Sequence, residues 1–143
     1  YAQWLHSTWG NVRSLDFAGF MSRDKLQETY AGTDCLVFPS RIETWGLPIS
    51  EFLPYDRPML LSDLPFAHET AAGASAVGFF DSSSAVALAD AMERVLRGDH
   101  TQLHPVPQRP LQAPSARSWS ELFELLLSDA GATQSNSFTQ PTP

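Results

Sequence analysis

Short apolar runs alternate with helical patterns along this chain, and the alternation restricts its fold more than any other feature. Four runs predict buried strands, at residues 14–20, 35–39, 58–63 and 76–81. The other patterned segments predict helices, over 22–34, from Leu47 to Pro54, over 66–73, over 82–98 and over 118–127. Strands that alternate with helices indicate a parallel sheet that is covered on both faces. The predicted fold is therefore α/β, with a Rossmann-like doubly wound parallel sheet.

The last two predicted helices have the clearest apolar stripes. Helical spacing over 82–98 gives one stripe, formed by Leu88, Met92, Val95 and Leu96. Over 118–127, Ser118 and Glu121 form a capping-box pattern at the start of the helix. The stripe that follows it comprises Trp119, Leu122, Phe123, Leu126 and Leu127. We expect both stripes, Trp119 included, to pack in a core.

Length and composition limit the organisation of the chain. Its 143 residues fit one domain, which we predict over 1–128, followed by a Ser/Thr/Gln/Pro-rich disordered tail over 129–143. Within the domain, four prolines and weak periodicity predict a connector over 99–117. Four strands are few for such a sheet, and the chain begins without Met in the middle of a pattern. We therefore expect a fragment that lacks the first strands of its domain.

Charge and cysteine content argue against several classes of protein. A net charge of −7 argues against a nucleic-acid-binding surface, which needs clustered basic residues, and weakly against docking on anionic lipid. The single cysteine, Cys35, lies in an apolar run and cannot form an internal disulfide. We expect a buried, inert thiol in a reducing compartment. No apolar run approaches the roughly 20 residues of a membrane span.

The segment RIETWGLPISE, residues 41–51, directly follows a predicted buried strand. In an open parallel sheet, ligands bind beyond the carboxyl ends of the strands, so Glu43 should face a binding crevice. Gly46 permits a tight turn, and the backbone N–H groups from Thr44 to Leu47 are candidates to receive an anion. The Glu51 carboxylate can accept two hydrogen bonds from a vicinal diol such as a ribose. Together these groups suit a nucleotide sugar.

The two glutamates also have purely structural interpretations. Their spacing alone is weak evidence, because chance readily produces such a pair in a chain of this composition. Glu43 could be a solvated loop residue, and Glu51 could complement the dipole of the helix that it begins.

Four other residues near the predicted crevice are open to two interpretations. Arg41 could contact a phosphate or be a surface arginine. Trp45 could line a sugar pocket, pack to anchor the loop, or do both. His68 and Glu69 could rim the crevice, although exposed turn residues are the preferred interpretation.

Four segments, in order, resemble the C-terminal, donor-binding domain of GT-B glycosyltransferases, in particular the retaining family 4. FAGFMSRDKLQETYAGTDCLVFPSRIETWGLPISE is similar to the family's strand, helix, D-x-x-x-x-P-S and two glutamates separated by seven residues. PMLLSDLPFAHE resembles the strand and turn that follow, and DSSSAVALADAMERVL resembles the penultimate helix. SARSWSELFELL resembles the closing helix. The resemblance covers residues 14 to 127.

The resemblance implies roles for individual residues. Glu43 would be the catalytic residue, near donor-sugar hydroxyls beside the reacting carbon, and Glu51 would hold the nucleotide ribose. The backbone from Thr44 to Leu47 would face the sugar and the diphosphate. The family needs no bound metal or other cofactor, because basic groups and helix N-termini stabilise the leaving diphosphate. Its basic pair and its acceptor-binding domain correspond to segments upstream of Tyr1, so we expect them as partners missing from this sequence.

Two positions depart from the family's pattern. The family usually has a small residue after the second glutamate, where this chain has Phe52. It also has a glycine just before the proline of the next strand, where this chain has YDRP at residues 55–58. We expect both departures to affect local packing more than contacts with a ligand.

Three functions remain open on the sequence. The first is a retaining hexosyltransferase that uses a nucleoside-diphosphate sugar in polysaccharide or glycolipid biosynthesis, with this chain alone expected to be inactive. The second is a truncated, non-catalytic remnant that binds a nucleotide sugar. The third, which fits the motif order less well, is a sugar-nucleotide epimerase. We expect a cytoplasmic location, with any peripheral contact at the inner face of the membrane made through the missing half.

Overall fold

The computed structural model describes residues 2–108, 110, 115–116 and 118–133, without the side chains of 129–133. The chain divides into two units, residues 1–108 and 109–143. In chain order, the first unit contains α1 (Ala2–Trp9), α2 (Arg23–Gly32), β1 (Leu36–Phe38), α3 (Leu47–Phe52), a 3₁₀ turn (Leu53–Tyr55), β2 (Met59–Ser62), α4 (Pro65–Thr70), β3 (Val77–Phe80) and α5 (Ala85–Leu96). The second unit contains α6 (Trp119–Thr133).

The three strands form a parallel sheet in the order β1-β2-β3. Met59 of β2 pairs with Leu36 on one side and with Val77 on the other. All four residues of β2 are buried, because the strand has a neighbour on both edges and a covered surface on both faces. The predicted α/β fold with a parallel sheet is therefore confirmed.

Helices cover the two faces of the sheet, as a doubly wound fold requires. Alternation along β2 sends Met59 and Leu61 to one face and Leu60 to the other. The first face packs against α2, α3 and α4, whose buried apolar side chains are Tyr30, Ile49, Phe52 and Ala67. The second face packs against α5 around Ala91.

The strand predicted over 14–20 is wrong. This segment has no regular structure, and Leu15, Phe17 and Phe20 are exposed. In the part of the chain that the structure describes, the sheet has no strand from this segment. The apolar side chains of residues 14–20 therefore neither pair with a neighbouring strand nor pack in the core. The described sheet consequently has three strands, one fewer than the sequence predicted.

The apolar stripe predicted in α5 is only partly buried. Leu88 and Val95 pack with Ala91 against the sheet, whereas Met92 is exposed and the Leu96 side chain is 85% exposed. The buried face of α5 therefore centres on Ala91, and Leu96 lies at the edge of that face. Together with Cys35, Val37, Leu60 and Val95, the two exposed residues line an apolar groove of about 200 Å³.

Cys35 is half-buried, and burial raises the pKa of its thiol above the ordinary value. A raised pKa favours the neutral thiol at neutral pH, which is the less reactive form. The sequence predicted a buried thiol, which the structure shows only in part, and the inertness of this cysteine stays a prediction.

Part of the predicted connector folds back onto the sheet. The backbone of His104 exchanges two hydrogen bonds with that of Val77, at 2.9 and 3.0 Å, in an isolated antiparallel bridge. The Val106 N–H likewise donates to the Ala74 carbonyl at 2.9 Å. Residues 99–108 thus belong to the first unit.

The helix of the second unit begins as the sequence predicted. The Ser118 hydroxyl accepts a hydrogen bond from the backbone N–H of Glu121 at 3.2 Å. The helix continues to Thr133, past the predicted end at Leu127 and into the segment predicted to be disordered. The rest of that segment, 134–143, lies outside the described residues. Within this unit the predicted stripe is exposed rather than packed, with Trp119 76% exposed.

The two departures from the family pattern have a structural explanation. Phe52 is fully buried and forms an aromatic cluster with Tyr30 and Tyr55, at ring-centroid distances of 5.6 and 5.8 Å. Helix α3 ends at Phe52, Pro54 lies in the 3₁₀ turn that follows, and Asp56 then adopts a left-handed backbone with φ of 50°. The Ser75 hydroxyl donates to its carboxylate at 2.6 Å. Aspartate is among the few residues other than glycine that tolerate this conformation.

The backbone at Asp56 yields a prediction about stability. Asp56→Gly should unfold at a higher urea concentration than Asp56→Ala. The difference in unfolding free energy should be about 1 kcal/mol, because the left-handed region costs alanine more than glycine. Ser75→Ala is the control, since it removes the hydrogen bond without changing the backbone at position 56. Equal stability of the two Asp56 variants would contradict a strained backbone at this position.

Candidate functional site

The carboxyl ends of the three strands lie at one edge of the sheet, because the strands are parallel. The chain leaves β1 at Phe38 and enters the segment that contains Glu43 and Glu51. Asp63 and Asp81 are the first residues after β2 and β3. The candidate site is the 41–51 segment together with the residues that hold it.

The path of the 41–51 segment is fixed at Gly46. This residue is buried and left-handed, with φ of 81°, immediately before α3. A Cβ there would lie 3.1 Å from Ile49 Cδ1 and 3.3 Å from Phe66 Cδ2. The Thr70 hydroxyl of α4 donates a hydrogen bond to the carbonyl of Trp45, the preceding residue. The predicted tight turn is therefore present, and α4 holds it against the sheet.

Glu43 is exposed on the loop and bonded to Ser40. The Ser40 hydroxyl lies 2.9 Å from Glu43 Oε1 and donates to it, while the carbonyl of Ile42 lies 3.3 Å from the same hydroxyl. Because a serine hydroxyl has one proton, the shorter contact to the charged carboxylate should dominate. The second oxygen, Oε2, is left for other donors.

Glu51 sits one turn into α3 and is half-buried. The hydroxyl of Tyr30 on α2 lies 3.5 Å from Glu51 Oε2. Burial, followed by the negative charge of Glu51, raises the pKa of the Tyr30 phenol, so this group remains a protonated donor at neutral pH. The two glutamates of the segment thus each have a hydroxyl donor from the fold.

Three side chains of the segment extend into solvent without being packed. Ile42 and Leu47 are exposed, and the indole of Trp45 is 57% exposed. The loop is anchored through the carbonyl of Trp45 rather than through its ring. Contact of the Trp45 ring with a sugar stays a prediction.

Arg41 lies at the exposed start of the segment, close enough to Asp81 to affect it. The pKa of the Asp81 carboxyl is lowered mainly by hydrogen bonds from Ser83, with a smaller contribution from the charge of Arg41.

His68 is bonded rather than free, and Glu69 is exposed. The Nε2 atom of His68 lies 2.6 Å from Asp63 Oδ1, and its ring stacks on Phe79 at 3.7 Å between centroids. Sequence reasoning missed these contacts, as it missed Ser40, Tyr30 and Thr70 as partners of the loop.

Among the described residues, no group of three or more His, Cys, Asp or Glu side chains could hold a metal ion. No helix in the described part of the chain is long and apolar enough to cross a membrane.

Residues 8–108 match the family described as Glycosyl transferases group 1. This chain belongs to the group 1 glycosyltransferases. The match covers the whole sheet and the 41–51 segment, so the candidate site lies inside the family region of this glycosyltransferase chain. No curated protein and no solved structure matches the chain significantly.

The crowding at Gly46 predicts an unusual sensitivity to a single methyl group. Gly46→Ala and Gly98→Ala both place alanine at positive φ, 81° and 74°, which should cost about 1 to 2 kcal/mol of unfolding free energy each. Of these two glycines, Gly46 is the crowded one, so its variant should lose about 1 to 3 kcal/mol more. Urea unfolding followed by circular dichroism measures the difference. Equal losses would show that Ile49 and Phe66 do not confine the loop.

Proposed function

We propose that this chain is the donor-binding part of a retaining glycosyltransferase, which transfers a hexose from a nucleoside-diphosphate sugar in polysaccharide or glycolipid biosynthesis. Family membership supports glycosyl transfer, and the motif resemblance supports the finer assignments. The observation that carries the proposal is the pair of carboxylates beyond β1, each with a hydroxyl donor from the fold.

Glu43 is the residue that we assign to the reacting sugar. Ser40 occupies one position on Oε1, and the exposed Oε2 is free to accept hydrogen bonds from the sugar hydroxyls near the reacting carbon. A carboxylate at this place also stabilises the positive charge that develops on the sugar as its bond to the diphosphate breaks.

Glu51 is the residue that we assign to the nucleotide ribose. Its carboxylate has about four positions that accept hydrogen bonds, and Tyr30 uses one of them. Two more suffice for the 2′ and 3′ hydroxyls of a ribose. The half-buried setting strengthens such hydrogen bonds compared with those made in bulk water.

The leaving diphosphate is assigned to the backbone and to Arg41. The backbone N–H groups from Thr44 to Leu47 lie in the turn around Gly46, whose backbone is fixed. Arg41 is the positively charged residue of the same segment. Trp45 offers an exposed aromatic face to the sugar. We propose that the reaction uses no metal and that acceptor binding belongs to a separate domain, with the reaction placed in the cytoplasm.

The two glutamates should affect turnover differently. In the protein that carries this chain, Glu43→Gln should lower kcat about 10- to 100-fold, because a hydrogen bond to a charged group that acts mainly in the transition state is lost. Glu51→Gln should raise KM for the donor by about 10-fold with less effect on kcat. Glu69→Gln, an exposed glutamate of α4, is the control and should leave both constants unchanged.

A thermal-shift panel of nucleoside-diphosphate sugars identifies the donor for these kinetics. The correct donor should raise the unfolding temperature of the wild-type protein, since it binds the folded state. The proposal fails if no donor raises it, or if Glu43→Gln and Glu51→Gln turn over like Glu69→Gln.

A further inference from the structure

Tyr30 reaches the candidate site from a distant part of the chain. It is the buried residue of α2, 7% exposed, and its hydroxyl lies 3.5 Å from Glu51 Oε2, across 21 residues of sequence. This distance is at the outer limit of a hydrogen bond. Contacts of this kind are commonly long in an empty site and tighten when a ligand docks.

The Tyr30 ring is held on two sides by the aromatic cluster. Phe52, next to Glu51 in sequence, meets it edge to face at 5.6 Å, and Tyr55 lies at 6.1 Å. The Tyr55 hydroxyl is itself bonded to Gln27 on α2, at 2.8 Å to the side-chain oxygen and 3.1 Å to the carbonyl. The ring contacts, rather than the hydroxyl of Tyr55, confine the Tyr30 ring, so packing sets the position of the Tyr30 hydroxyl.

A fixed donor constrains the carboxylate that it contacts. Tyr30 has one proton to donate, and the carboxylate is the acceptor found for it among the described residues. A free glutamate side chain would rotate about its terminal bond, and the ordering would cost affinity when a ligand binds. The nearby Tyr30 hydroxyl favours the orientation in which Oε2 faces it, so one orientation of the remaining acceptor positions is preferred.

We propose that Tyr30 is a positioning residue, which orients the Glu51 carboxylate to receive a vicinal diol and so selects ribonucleotides over 2′-deoxyribonucleotides. This inference rests on the proposed function, because it assumes that Glu51 binds ribose. A site built to bond a hydroxyl rejects the analogue that lacks it most strongly when its acceptor is held in place. Tyr30 does not touch the donor and acts only through Glu51.

The test compares nucleotide binding by matched variants of the protein that carries this chain. The probes are UDP, GDP and ADP with their 2′-deoxy counterparts, and calorimetry gives the Kd of each. The pair whose ribo form binds most tightly is used further. The quantity compared is the ribose preference, defined as Kd of the 2′-deoxy form divided by Kd of the ribo form.

Tyr30→Phe keeps the ring and removes the hydroxyl, and it should lower the ribose preference by roughly 5- to 10-fold. Tyr55→Phe makes the same change in the same aromatic cluster, but at a hydroxyl bonded to Gln27 instead of Glu51. It should leave the preference unchanged. Because the preference is a ratio within one variant, a general loss of packing affects both of its terms alike.

A double-mutant cycle tests whether Tyr30 acts through Glu51. Glu51→Gln alone should abolish most of the preference, and adding Tyr30→Phe should then change nothing further. If Tyr30→Phe matches Tyr55→Phe, or adds its full effect in the Glu51→Gln background, the positioning role is overturned while the donor site stands. If Glu51→Gln retains the ribose preference, or if the wild type binds none of the probes, the donor site and the role of Tyr30 fall together.

Discussion

The central strand β2 is buried on both faces and paired on both edges, and the geometry of the candidate site depends on that burial. Helix α3 has six residues, too few to be stable in water by itself. It forms because Ile49 and Phe52 are fully buried in the core that Met59 and Leu61 share on one face of the sheet. Glu51 lies between these two anchors in sequence. Its backbone position is therefore fixed by hydrophobic burial rather than by the polar groups around it.

The two glutamates of the segment are held in physically different ways. Ser40 belongs to the same loop as Glu43, so that contact forms locally and in a solvated setting. Tyr30 belongs to a helix that precedes the sheet, so its contact with Glu51 exists only when the core has closed. Local unfolding of α2 would thus disturb one carboxylate and spare the other. This difference matches the roles proposed for them, since a ribose gains more from a rigid acceptor than a sugar that must change shape during reaction.

Much of the architecture could be predicted from the sequence, because its signals are local. The helix predicted over 22–34 forms as α2, the helix predicted from Leu47 begins there as α3, and Gly46 adopts the left-handed turn that its position suggested. The failures share one cause: periodicity shows which residues share a face, but not whether that face has a partner. Residues 14–20 and Leu96 have the right pattern and stay exposed. The contact of Tyr30 with Glu51 spans distant segments, so no local pattern could indicate it.

At the turn around Gly46, the groups that determine the backbone path of the loop differ from the side chains that the loop exposes to a ligand. Its path depends on the missing Cβ of Gly46 and on a hydrogen bond to the Trp45 carbonyl, neither of which involves the side chains of Thr44 or Trp45. Both of those side chains are exposed. Substitutions at these two positions can accumulate at little cost in folding while they change the surface shown to a ligand. In evolution or in directed libraries, the backbone of the loop can therefore stay fixed while the side chains at positions 44 and 45 vary.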